Sequence, residues 1–246
     1  MLPGPVFVVA CPHCGSLATY GTLTSGNTMG AQVWTDGYGR APMLPRPPNV
    51  VICQGCERSY WLSDAEEVGV LPFPGEADPA VDPSWLEAPD VEEPTEAQYY
   101  RALEDGLATS DDEQRALRTL AWWRRNDEHR DLPPEEADAS FVVDGPCRRN
   151  LEALVRLLDR EDEDQAIVRA EVFRELGDFE ASLDALGPVT SRQHVGLVGQ
   201  IRSLCAERKT AVREHLYTEA TCPVCDKPLR TPFARQCRFC GADWHS

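Results

Sequence analysis

Residues 6–22 read "VFVVACPHCGSLATYGT", and the fold turns on what Cys11 and Cys14 are for. Cys11 could carry a lipid behind a short apolar run, the two cysteines could form a redox pair, or they could be half of a metal site. Residues 1–10 hold no Lys or Arg, and the run from Val6 to Ala10 falls short of a secretory core of about 7–15 residues. A cytoplasmic protein is therefore expected. In a reducing compartment, a chain with ten cysteines points to metal binding before disulfides. The redox reading needs a thioredoxin-like βαβ context around a single pair, and the rest of the chain argues otherwise.

Eight of the ten cysteines form four Cys-x-x-Cys pairs: Cys11/Cys14, Cys53/Cys56, Cys222/Cys225 and Cys237/Cys240. Such a turn aims two thiolates at one point, and two turns complete a tetrahedral four-sulfur shell. Gly15, Gly55 and Gly241 stand in or beside these turns. The C-terminal pairs are separated by the eleven residues from Asp226 to Gln236. The N-terminal pairs are separated by 38, an insert that reads as a hairpin able to extend the local sheet. Both segments resemble the zinc-ribbon class. That resemblance implies two structural Zn²⁺ ions, held by Cys11, Cys14, Cys53 and Cys56 and by Cys222, Cys225, Cys237 and Cys240. Four sulfurs leave no position open for a catalytic water, and segments this small need a metal to fold. His13 and His245 flank sets that are already complete, while Cys147 and Cys205 read as buried small hydrophobes.

The net charge of −17 on 246 residues is unevenly spread. Residues 1–62 balance at +1 and residues 222–246 at +2, which leaves −20 on the stretch between. An acidic body repels phosphate backbones, so nucleic acid is the less favoured partner and only the two ends could contact it. No run approaches the roughly 20 apolar residues that span a bilayer. Residues 1–62 alternate short β-forming runs ("PVFVVA", "AQVWT", "NVVIC", "RSYWL") with turn residues and form an N-terminal ribbon. Residues 63–94 carry ten carboxylates, six prolines and no basic residue, which reads as an extended linker with one apolar anchor at Trp85 and Leu86.

Residues 95–216 read as helices, and residues 217–246 as the second ribbon, so the fold class is α+β and multi-domain. Thr95 and Gln98 have capping-box spacing. Residues 110–130 open acidic and end basic, as the helix dipole favours. Leu151, Leu154, Val155 and Leu158 form an i, i+3, i+4, i+7 stripe. Residues 174–186, "RELGDFEASLDAL", resemble the centre of a tetratricopeptide-type repeat, with Gly177 at the turn, Phe179 as the following aromatic and Ala181 on the second helix. The layout as a whole resembles bacterial proteins that join zinc ribbons to a tetratricopeptide-like region.

Signatures of catalysis are missing. His129-Arg130-Asp131-Leu132 shares letters with the kinase catalytic loop, but the Gly-rich loop and strand lysine are absent and Glu136 stands where the metal-binding Asn would fall. The expectation is a non-enzymatic adaptor with a protein partner, for which Trp122 and Trp123 offer an aromatic anchor. The alternative is a factor that contacts single strands through Lys227, Arg230, Arg235 and Arg238, with Phe233, Phe239 and Trp244 as stacking partners.

Overall fold

The computed structural model describes residues 1–72, 81–215, 222, 224, 225, 227 and 236–243. The strands, in chain order, are β1 (Leu2–Ala10), β2 (Leu17–Ser25), β3 (Gln32–Val33), β4 (Gly39–Arg40), β5 (Val50–Ile52), β6 (Ser59–Trp61) and β7 (Glu66–Leu71). The α-helices are α1 (Pro83–Leu86), α2 (Glu96–Glu104), α3 (Asp111–Arg130), α4 (Pro134–Ser140), α5 (Gly145–Leu157), α6 (Glu163–Glu175), α7 (Phe179–Ala185) and α8 (Val195–Ala206). Helices and small sheets are thus mixed, with one cysteine cluster near each end of the chain. The chain divides into two compact units: Met1–Asn27 with Pro42–Arg124, and Thr28–Ala41 with Arg125–Ser246.

In the first unit β1 is the central strand of an antiparallel sheet of order β2-β1-β7. Val8 and Val9, neighbours on opposite faces, are both buried, so this strand is covered on each side. β7 lies inside the segment read as a linker. Its carboxylates, Glu66 and Glu67, stay exposed while Val68 and Leu71 are half-buried, a pattern that a count of charges does not detect. Gly69 is needed there, because a Cβ on it would lie 2.1 Å from the Trp85 ring. Trp85 therefore anchors as expected, but Leu86 is exposed.

The end of the same segment is also tied down. The Thr19 amide donates to the Pro89 carbonyl, the Val91 amide to Thr19 (both 2.8 Å), and the Ile52 amide to Glu92 at 2.9 Å. β5 and β6 pair as a hairpin, Val51 opposite Tyr60. The capping box at α2 forms, with the Gln98 amide donating to the Thr95 hydroxyl and the Thr95 amide to the Gln98 side chain. Val50, Tyr99, Ala108, Leu117 and Ala121 then make one core. Trp122 is fully buried and Trp123 half-buried, so the expected exposed aromatic anchor is not formed by Trp122.

The second unit contains the end of α3, helices α4 to α8, and the β3–β4 hairpin. The insert reads as a hairpin able to extend the N-terminal sheet. Instead β3 and β4 pair with each other, Val33 opposite Gly39, and the turn between them belongs to the helical unit. Gly37, at φ +80, closes this turn by donating its amide to Trp34. The α5 stripe is buried as the spacing required. Helix α6 turns at Gly177, at φ +84, into α7. Ile167, Ala170, Leu186, Val198, Ile201 and Cys205 share the core, with Phe179 packed on it. The small residue fully buried on α7 is Ser182, whereas Ala181 is half-buried. Cys147 and Cys205 are both buried, and the Cys205 thiol donates to Ser182 Oγ at 3.3 Å.

Candidate metal centres

Each sulfur cluster is assembled by two tight turns. In the first, Cys11 and Cys14 stand at the β1–β2 connection, and Cys53 and Cys56 at the β5–β6 connection. The Cys11 amide donates to Ser16 O at 2.9 Å and the Gly15 amide to Cys11 O at 2.9 Å. The second turn repeats this, with the Cys53 amide on Arg58 O at 3.0 Å and the Glu57 amide on Cys53 O at 2.8 Å. In the three turns where the residue after the second cysteine is described, it is left-handed: Gly15 has φ +74, Glu57 +57 and Gly241 +72. Gly55 serves differently, since a Cβ there would collide with the Ser16 side chain at 2.2 Å.

The eight predicted ligands fall into the two predicted groups, with the sulfurs of each group within 4.8 Å of one another. Cys14 and Cys53 Sγ are 3.5 Å apart and Cys11 and Cys56 Sγ 3.9 Å. In the second group the Cys222–Cys240 and Cys225–Cys237 separations are both 3.6 Å. A tetrahedron with metal–sulfur bonds of about 2.3 Å has edges of about 3.8 Å. Both cages therefore have the dimensions that a tetrahedral ion such as Zn²⁺ accepts. Backbone amides also point at the sulfurs: His13 to Cys11 at 3.4 Å, Val224 to Cys222 at 3.4 Å and Phe239 to Cys237 at 3.3 Å.

The electrostatics favour a cation. Burial pushes the Cys11 thiol up to about 12, while hydrogen bonding to Ser16 holds Cys14 down to about 6. In the other cage burial opposes ionisation of Cys237, yet the Cys240 and Phe239 amides bring it down to about 6. The Lys227 amide favours the Cys225 thiolate, but burial and the neighbouring thiols drive that group up to about 12. Sulfurs gathered this closely suit a divalent ion, which would bind them as thiolates and offset their mutual repulsion.

His13 does not enter the first cage. Its Nε2 lies 3.4 Å from Ser59 O and its ring meets Tyr60 edge-on. His245, Arg230, Arg235, Phe233 and Trp244 lie outside the described residues. Phe239 is described and 46% exposed, with Lys227 Nζ 5.0 Å and Arg238 Cζ 4.7 Å from its ring centre. Among the described residues no helix is long and apolar enough to cross a membrane. The chain matches no protein-family profile, no curated protein and no solved structure.

Sequence reasoning missed a polar cluster in the second unit. Asp36 in the hairpin turn and Arg130, Asn126 and Glu175 in the helices are all buried. The Asn126 amide donates to both Asp36 and Glu175 at 3.0 Å. Only the "TDG" turn signal and the basic end of α3 hinted at these residues, and neither revealed that they meet.

Proposed function

We propose that the protein is a non-enzymatic cytoplasmic adaptor of the zinc-ribbon type, in which two Zn²⁺ ions are structural staples and the helical unit binds a protein partner. The observation that carries this reading is the pair of closed four-sulfur cages, whose edges suit a tetrahedral ion and leave no ligand position for a reacting water. The α6–Gly177–α7 hairpin supports a tetratricopeptide-like element within that unit. The acidic charge favours a basic or amphipathic protein partner over nucleic acid.

Metal analysis of the full chain tests the staples. Purified without chelator, it should hold two zinc ions, and Cys225→Ser should lose one of them. One ion or fewer per chain sinks the two-site reading. Affinity purification under nuclease treatment tests the partner: a defined protein should co-purify in stoichiometric amount. A second reading has one specific observation in its favour, the exposed Phe239 ring between Lys227 and Arg238. It makes the C-terminal ribbon a single-strand contact through stacking and phosphate pairing. Recovery of RNA or DNA alone, released by moderate salt, would install it in place of the adaptor.

A further inference from the structure

We propose that the helical unit carries a recognition slot for a protein segment that presents tryptophan two residues before aspartate in a tight turn, and that the β3–β4 hairpin fills this slot as a built-in latch. The proposal deepens the adaptor reading and rests on it. Trp34 is wholly buried, with the Arg130 guanidinium 5.1 Å from its ring centre. Two residues on, the Asp36 carboxylate accepts both arms of the Arg130 fork, at 3.0 and 2.6 Å, and the Asn126 amide at 3.0 Å. The backbone adds a third grip: the Thr35 amide donates to Arg213 O at 2.8 Å and the His215 amide to Val33 O at 2.7 Å.

An aromatic anchor, a bidentate charge clamp and strand addition are the means by which folded domains capture peptides. Here the captured peptide is the chain's own insert between its first two cysteine pairs. Two features make the latch replaceable. A buried ion pair adds little net stability once its desolvation is counted, and a competing segment with the same Trp-x-Asp spacing remakes the same contacts with Arg130 and Asn126. In addition, Trp34 Nε1 is buried without an acceptor among the described residues, a defect that a partner turn supplying a carbonyl there would repair. The occupant in trans is thus a protein turn with an indole and a carboxylate, matched to Arg130.

The probe is a fluorescein-labelled synthetic peptide of residues 28–41, titrated by anisotropy into zinc-loaded full-length protein. The Trp34→Ala/Asp36→Ala variant, whose latch is disabled, should bind it at least tenfold more tightly than the native protein. Adding Arg130→Met to that variant should abolish binding. No binding by a variant that keeps its helical circular dichroism and both zinc ions overturns the slot, as does equal binding by the native chain. If the variant does not fold, hydrogen exchange on the native protein decides. The Thr35 and His215 amides should exchange at least tenfold faster than core amides of α6 and α8; exchange at the same rate makes the hairpin a permanent part of the fold and ends the proposal. Failure here leaves the adaptor reading standing. That reading falls only if neither the native chain nor the variant retains a protein partner after nuclease treatment.

Discussion

Arg174 is fully buried in the middle of the second unit, and removing its countercharge should be one of the most damaging single changes in the chain. Its Nε donates to Glu171 at 2.7 Å, Nη2 to the other Glu171 oxygen at 2.5 Å, and Nη1 to Lys209 O at 2.6 Å. Burial works against the charge on Arg174, and Glu171 and then Glu175 hold it in place, so that its pKa is raised. Glu171→Ala removes both carboxylate oxygens and leaves only the Lys209 carbonyl and the nearby Glu175 charge. Breaking a buried pair from one side costs about 3–5 kcal/mol. Because Glu175 supplies part of the lost countercharge, the lower end, about 3 kcal/mol, is expected. Replacing the pair together, as Glu171→Leu with Arg174→Met, removes the desolvation cost along with the attraction. That double variant should cost less than Glu171→Ala alone, the residual being the lost hydrogen bond to Lys209 O and the loss of the Arg174 charge beside buried Glu175. Urea unfolding followed by far-ultraviolet circular dichroism, with zinc held constant, measures all four corners of the cycle. A cost below about 1 kcal/mol for Glu171→Ala, or a double variant as damaged as the single one, refutes the reasoning.

Two further outcomes follow from local geometry. Glu57 holds a left-handed backbone at φ +57, where the equivalent positions after Cys14 and Cys240 use glycine, so Glu57→Gly should stabilise the first unit by about 0.5–1 kcal/mol, read as a higher melting temperature. Burial, and for His129 also the charge of Arg125, depresses the pKa of His129 and His215 below the ordinary 6.5; the exposed Glu128 carboxylate, 3.3 Å from His129 Nε2, does not outweigh this. The unfolded chain therefore takes up these protons first, and stability that is complete above pH 6.5 is lost as pH falls below it, by up to about 1.4 kcal/mol per pH unit for each histidine. His129→Gln should flatten the slope just below pH 6.5; an unchanged slope assigns the acid sensitivity to other groups.

The cages were legible because ligand spacing is written into the chain: the two Cys-x-x-Cys turns of each cage need nothing but each other. The α5 stripe and the Thr95–Gln98 cap were legible for the same reason, since their partners lie within a turn or two. What could not be read depends on distant residues. Glu171, Arg174 and Glu175 look like a solvated helix face, and only the packing of α7 and α8 on α6, with the Lys209 carbonyl and the Asn126 amide as partners, encloses them. In β7 the exposed Glu66 and Glu67 concealed Val68 and Leu71, whose value as a strand comes from β1 needing a partner on that edge. Trp34 and Asp36 read as ordinary turn residues because their partner, Arg130, lies more than ninety positions further on.

The route of the backbone sets an order of assembly during synthesis. The first unit is left at Asn27, re-entered at Pro42 and left again at Arg124. All four sulfurs of the first cage have been made once Cys56 is made, and a metal bound there closes a loop that holds residues 28–41. At about 5–20 residues per second, His215 is added on the order of 10–30 s later. For that interval the Trp34 indole has no helical unit to enter. A ribosome-bound chain halted near residue 124 should thus display a metal-clasped ribbon with a projecting aromatic loop, open to chaperones. Expressing residues 1–124 alone would make that passing state permanent, with the loop stranded on the half that cannot bury it.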